Sequence, residues 1–166
     1  MTRGAYPTGS AILQCVGVCL LLVDGASPVN SPSWWDDAIP PSDRMAALAR
    51  AVAASDIFLW CPMLDGVFRI DFSFGEVPFA IHSNMSVVKF TLKLPTGRLV
   101  ARSAVTASEV FDVDPGEYHG TFIWDSVRES DHSDLSSIAS YPASEGPDGW
   151  VFFEYSVSRS VAPTLA

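Results

Sequence analysis

From Val67 onward, apolar and polar positions alternate along the chain. Phe68, Ile70, Phe72 and Phe74 fall on one face while Arg69, Asp71 and Ser73 fall on the other. This is the period-two pattern of a half-buried strand. Val88, Phe90, Leu92 and Leu94 then alternate with Lys89, Thr91 and Lys93. Pro95-Thr96-Gly97 is a turn signal, so Arg98–Ala104 reads as the returning strand of a hairpin. Val110–Val113 is a short strand that stops at Asp114-Pro115-Gly116. Tyr118, Phe122 and Trp124 line one face of a further strand near Glu117–Asp125. The polar stretch Ser126–Gly149, with Pro142 and Pro147, reads as a long acidic loop, and Trp150–Ser158 as a final strand. Residues 159–166 are expected to fray.

The first third of the chain has a different texture. Ala11–Val23 is an apolar run of thirteen residues, shorter than the roughly 20 needed to span a bilayer. Its length also matches a signal-peptide core, with Ala26 near a cleavage position. However, only Arg3 precedes it and Gln14 interrupts it. A strand covered on both faces also reads as continuously apolar, and this is the favoured expectation. A Pro/Ser-rich stretch follows, Asp24–Pro41, and Ser42-Asp43 then caps a predicted helix over Asp43–Ala54, with Met45, Leu48 and Val52 at helical spacing. Ile57–Trp60 is a short apolar run ended by Cys61-Pro62. The pattern predicts a mainly β fold: an antiparallel β-sandwich of about six to seven strands with one short α-helix. One domain over residues 1–166 is the default for this length.

Composition narrows the function classes. With 48% hydrophobic and 17% charged residues, the chain is too apolar to be intrinsically disordered. Nineteen acidic against ten basic residues give a net charge of −9, which disfavours direct nucleic-acid binding. The charge is also uneven. Residues 1–108 balance at eight acids and eight bases, whereas 109–154 hold eleven acids and one base, Arg128. Such asymmetry suggests a directed electrostatic surface. Three cysteines cannot close a disulfide framework, which points to a reducing, cytoplasmic setting.

Little in the chain points to catalysis. It lacks a Gly-x-Ser-x-Gly elbow, a phosphate-binding glycine loop and a His-Glu-x-x-His pair. On a strand, Cys15 and Cys19 would stand about 13 Å apart, beyond disulfide reach. Both, with Cys61, read as small core hydrophobes. His82, His119 and His132 fit no closed metal-ligand spacing, and no motif calls for a cofactor or metal. A carboxylate- or metal-dependent enzyme around Asp112, Asp114 and His119 is the weaker alternative. Asp112 and Asp114, on one strand face about 6.6 Å apart, with Glu117 beyond the turn, would form a row of negative charge that captures a basic partner. Asp131 and Asp134 flank His132 and extend the acidic segment. Trp34 and Trp35, followed by Asp36 and Asp37, would place one ring inward and the other outward as an anchor.

Three segments stand in order: Leu20–Val29 (LLLVDGASPV) followed by Trp35-Asp36-Asp37-Ala38-Ile39, the alternating strand Val88–Leu94, and Glu109–Tyr118 (EVFDVDPGEY). Over roughly residues 18–125 the chain resembles the competence-J family of bacterial proteins. The resemblance implies a small, cytosolic, non-enzymatic protein that inhibits a partner DNA-entry nuclease. In that mechanism Asp112, Asp114 and Glu117 would replace phosphates in a basic cleft while Trp34 or Trp35 anchors. The acidic loop Ser126–Gly149 and the aromatic strand at Trp150–Tyr155 depart from the family pattern, and loops carry specificity. The alternative expectation is an accessory protein that presents a peptide substrate to modifying enzymes in a biosynthetic pathway. There an exposed strand edge would pair with the peptide, with Val88–Leu94 and Trp150–Ser158 as candidates.

Overall fold

A computed structural model describes residues 8–15, 20–31, 34, 41–60, 65–128, 135, 137–142 and 144–155. Among these, nine strands and one α-helix form two packed sheets. The strands are β1 (Gly9–Cys15), β2 (Leu20–Asp24), β3 (Ile57–Trp60), β4 (Gly66–Phe74) and β5 (Met85–Leu94). They continue as β6 (Arg98–Arg102), β7 (Ala107–Asp112), β8 (Gly116–Asp125) and β9 (Gly149–Tyr155). The helix, α1, spans Pro41–Ala53. One sheet has the order β1-β4-β9-β8-β5 and the other β3-β2-β6-β7. Only β4 and β9 pair in parallel; the other ladders are antiparallel. The expected β-sandwich is therefore present, with more strands than periodicity resolved. No helix among the described residues is long and apolar enough to cross a membrane.

The alternating residues meet where the pattern places them. Phe68, Ile70, Phe72, Leu92, Leu94, Phe122, Trp124, Val151 and Phe153 face Leu20, Leu22, Phe58, Leu99 and Ala101 across the sandwich. A second, smaller core lies on the outer face of the four-stranded sheet, where Leu21, Val23, Ile57 and Val100 pack under Leu48 of α1 and Val29. This explains why every residue of β2 is buried: the sandwich takes one side and the helix the other.

The run Ala11–Val23 is not one strand. It supplies β1 and β2, which belong to different sheets. The predicted hairpin at Pro95-Thr96-Gly97 is also corrected, because β5 and β6 lie in opposite sheets and the turn carries the chain across the sandwich. Gly97 adopts a φ of +74°, and a Cβ there would stand 2.1 Å from the Val113 carbonyl oxygen, so only glycine fits. Asp24, buried at the end of β2, ties this crossing down. Its carboxylate accepts from the Thr96 N–H at 3.0 Å, the Thr96 hydroxyl at 2.7 Å and the Ala26 N–H at 2.9 Å.

Helix α1 starts two residues before the predicted Asp43, with proline at its first position, where the missing N–H costs nothing. It ends in a Schellman motif: Asp56 N–H donates to the Ala51 carbonyl at 2.9 Å and Ser55 N–H to the Val52 carbonyl at 3.1 Å. Ser55 takes the left-handed conformation, φ 60°, that this cap requires. Strand β9 begins where buried Asp148 accepts from the Arg69 N–H at 2.9 Å and the Tyr141 hydroxyl at 3.2 Å. The expected frayed tail lies outside the described residues.

Candidate functional site

A sandwich of two open sheets has edges, and their exposure differs here. The side holding β1 and β7 is closed. Gly9 packs so closely on Val110 that a Cβ would approach its Cγ1 to 2.6 Å. The Gln14 carbonyl accepts from the Ser103 hydroxyl at 2.6 Å, and the Gln14 N–H reaches the Thr106 hydroxyl at 3.4 Å. The opposite side holds β5, ten residues long, with β8 on one flank and, among the described residues, no strand on the other.

One bond fixes which backbone groups of β5 point away from β8. The Lys93 N–H donates to the Ser55 carbonyl at 2.9 Å, on the far side from β8. Backbone direction in an antiparallel ladder repeats every two residues. The β5–β8 register runs unbroken from Met85 to Leu94. Thr91, Lys89 and Val87 therefore also direct their N–H and C=O groups outward, and no described backbone group bonds them on that side. The Schellman cap of α1 closes the Lys93 end of the edge, leaving Val87–Thr91 open.

Side chains alternate along this edge. Val88 and Phe90 turn inward as half-buried members of the main core. Phe90 stacks on Phe58 with ring centroids 4.1 Å apart. Its ring also lies over Gly120, where a Cβ would be 2.1 Å away. Val87, Lys89 and Thr91 turn outward and form one wall of a groove of about 770 Å3. Ile123, Thr121 and His119 of β8 and Phe152 and Glu154 of β9 form its floor. Val77 and Ile81, in the connection before β5, close its rim. That connection is anchored by Phe79, whose ring packs on Trp150 and Phe152 at 5.0 and 5.8 Å. Val87 and Ile81 are 43% and 47% exposed, apolar surface left open at the mouth. At the polar end, the Thr91 hydroxyl lies 3.2 Å from His119 Nδ1.

The residues predicted from sequence fall elsewhere. Asp112 ends β7 and is 84% exposed, with Arg98 Nε 3.9 Å away. Arg98 also pairs with Glu109. Asp112, Asp114 and Glu117 do not share a strand face: Asp114 lies in the crossing between sheets, and Glu117 belongs to β8. The Asp114 carbonyl accepts from the buried Tyr118 hydroxyl, which holds that crossing in place. Trp34 is not in a strand. Its N–H donates to Ser31 at 3.0 Å, and its half-buried ring packs on the second core. The Arg44 guanidinium sits 5.8 Å from the ring centroid, and the ring lines a separate cavity of about 560 Å3 beneath α1. Trp35, Asp36, Asp37, Asp131, Asp134 and His132 lie outside the described residues, as do Cys19 and Cys61.

Of the two candidate edges, Val88–Leu94 lies in β5 and is one. The other is not, because β9 runs between β4 and β8 in the middle of its sheet. His119 faces the groove from β8, away from the Asp112 end of β7. Among the described residues, no group of three or more His, Cys, Asp or Glu is placed to hold a metal ion. Buried Cys15 has its thiol pushed up to about 11, by burial first and then by the charge of Asp65. That is the opposite of what activates a nucleophile.

The architecture is that of the ComJ-like sandwiches. ComJ from Bacillus subtilis, described as the inhibitor of the DNA-degrading activity of NucA, matches with a TM-score of 0.54 at 11% identity, over 90% of this chain and 98% of that one. The product of crocagin biosynthetic gene J matches with a TM-score of 0.77 at 27% identity, over 92% of this chain and 99% of the other. No protein-family model and no curated protein matches the chain.

Proposed function

We propose that this is a non-catalytic accessory protein that binds a peptide in extended form along β5 and presents it to modifying enzymes of a biosynthetic pathway in the cytoplasm. The observation that carries this reading is the open backbone edge of Val87, Lys89 and Thr91, which offers an incoming strand both donors and acceptors. Main-chain bonding supplies affinity along such an edge, and the flanking groove supplies selectivity through alternate side chains. The likeness to a crocagin biosynthetic protein over nearly the whole of both chains supports a biosynthetic setting.

The test is amide hydrogen exchange with synthetic peptides tiled over the products of the neighbouring genes. A true ligand slows exchange at the Val87, Lys89 and Thr91 amides, because those N–H groups gain acceptors. Protection confined to the β7 end, with β5 unchanged, would refute strand addition.

A second reading retains the nuclease inhibitor. Asp112 and Glu109, 84% and 71% exposed at the β7 end, present carboxylates suited to a basic protein, and the ComJ fold supports it. Association of that kind weakens steeply as salt is raised, whereas strand addition does not.

A further inference from the structure

The open edge also has a charge pattern. Strand β5 carries Lys89 and Lys93 and no acid, within a chain of net charge −9. Lys89 has no ion-pair partner among the described residues. Its neighbour across β8 in register is Thr121, which is uncharged. The acids that line the same groove are Glu76 and Glu154, on the connection after β4 and on β9. Lys89 is thus an unneutralised cation on the outermost strand, next to the position an added strand would occupy.

We infer that the preferred peptide carries an acidic residue flanked by apolar ones, its carboxylate opposite Lys89; this rests on the strand-addition reading above. Register dictates the rest of the pattern. A residue paired with Lys89 points to the same face, so its side chain stands roughly 5 Å away between Cβ atoms. Residues one position either side point inward, beside Val88 and Phe90 over the Phe58 ring, where apolar side chains fit. Residues two positions away point outward again, beside Val87 and Thr91. The one beside Val87 meets the exposed apolar side chains of Val87 and Ile81 at the groove mouth. The recognised core is therefore five residues long: a central acid, an apolar residue on each side of it, an apolar residue beside Val87, and a fifth position beside Thr91 at the polar end. The Ser55 bond to Lys93 sets one end of it.

A lysine on an edge strand has another use, which is to discourage edge-to-edge aggregation. The test separates the two. Two synthetic peptides with the symmetric cores Val-Val-Glu-Val-Val and Val-Val-Lys-Val-Val, capped at both ends, are titrated into the protein and into its Lys89→Glu variant. The symmetric core makes the result independent of strand direction. The wild-type protein prefers the glutamate peptide by roughly five- to ten-fold, and Lys89→Glu reverses the preference. Binding of both peptides with equal affinity, each protecting the β5 amides, overturns the charge assignment and leaves strand addition standing. Absence of β5 protection by either peptide overturns both. Lys89→Glu or Lys89→Ala that changes only self-association, with no change in peptide preference, assigns Lys89 to guarding the edge and also overturns the inference.

Discussion

Replacing Asp24 with alanine strikes the point where the chain crosses between sheets. The carboxylate is 3% exposed and accepts from three donors: the Ala26 N–H, the Thr96 N–H and the Thr96 hydroxyl. Hydrogen bonds to a charged acceptor are worth about 1.5–3 kcal/mol each when one partner is removed. Ala26 and Thr96 are themselves exposed, so water can reach both N–H groups once the carboxylate is gone. The expected cost is therefore about 2–4 kcal/mol rather than the full sum. In urea, with a slope of about 2 kcal/mol/M, the midpoint falls by about 1–2 M while the slope stays constant. Thr96→Ala, which removes only the hydroxyl, costs about 1 kcal/mol. The double variant costs less than the two singles added, because they share a bond. A loss below about 0.5 kcal/mol for Asp24→Ala, the level of an ordinary surface change, would refute the reasoning.

Other consequences follow from single contacts. Ser55→Gly relieves the left-handed cap of α1 and raises stability by about 0.5–1 kcal/mol in the same urea assay. Arg98→Ala removes the partner of Glu109 and Asp112, but these side chains are mostly exposed, so the loss stays under about 1 kcal/mol and vanishes in high salt. In a Cys19→Ser, Cys61→Ser background, Cys15 resists thiol reagents in the folded state and reacts on unfolding. Its folded value is raised from 9.0 to about 11, so the stability it contributes is complete below 9 and is lost as pH rises toward 11. Calorimetric melting points that rise over that pH interval relative to Cys15→Ala would contradict the burial argument.

Alternation made the strands readable, because a half-buried strand cannot hide its period. The cores of β4, β5 and β8 are legible in Phe68–Phe74, Val88–Leu94 and Tyr118–Trp124. The assignment of strands to sheets is not, because it depends on contacts remote in sequence. Leu94 and Leu99 flank a turn that looks like a hairpin, and both enter the same core from opposite sheets. The row Asp112, Asp114, Glu117 failed for a related reason: the strand ends at Asp112 and the chain changes sheet before Glu117. Trp150–Phe153 is apolar without interruption, the mark of a strand covered on both faces, and β9 is indeed central, with Phe79 over its outer side. Strand β5, by contrast, alternates over Val88–Leu94 and carries lysines, as edge strands do. The outward direction of its backbone groups came only from the Lys93–Ser55 bond, which joins residues far apart in sequence.

Val87→Pro tests strand addition most directly. It removes one outward N–H of β5, and proline is tolerated at an edge position whose N–H faces solvent, so the β8 ladder and the fold survive. The account predicts an unchanged circular dichroism spectrum and at least a ten-fold weaker titration of the Val-Val-Glu-Val-Val peptide. A correctly folded Val87→Pro protein that binds this peptide as tightly as the parent would contradict it.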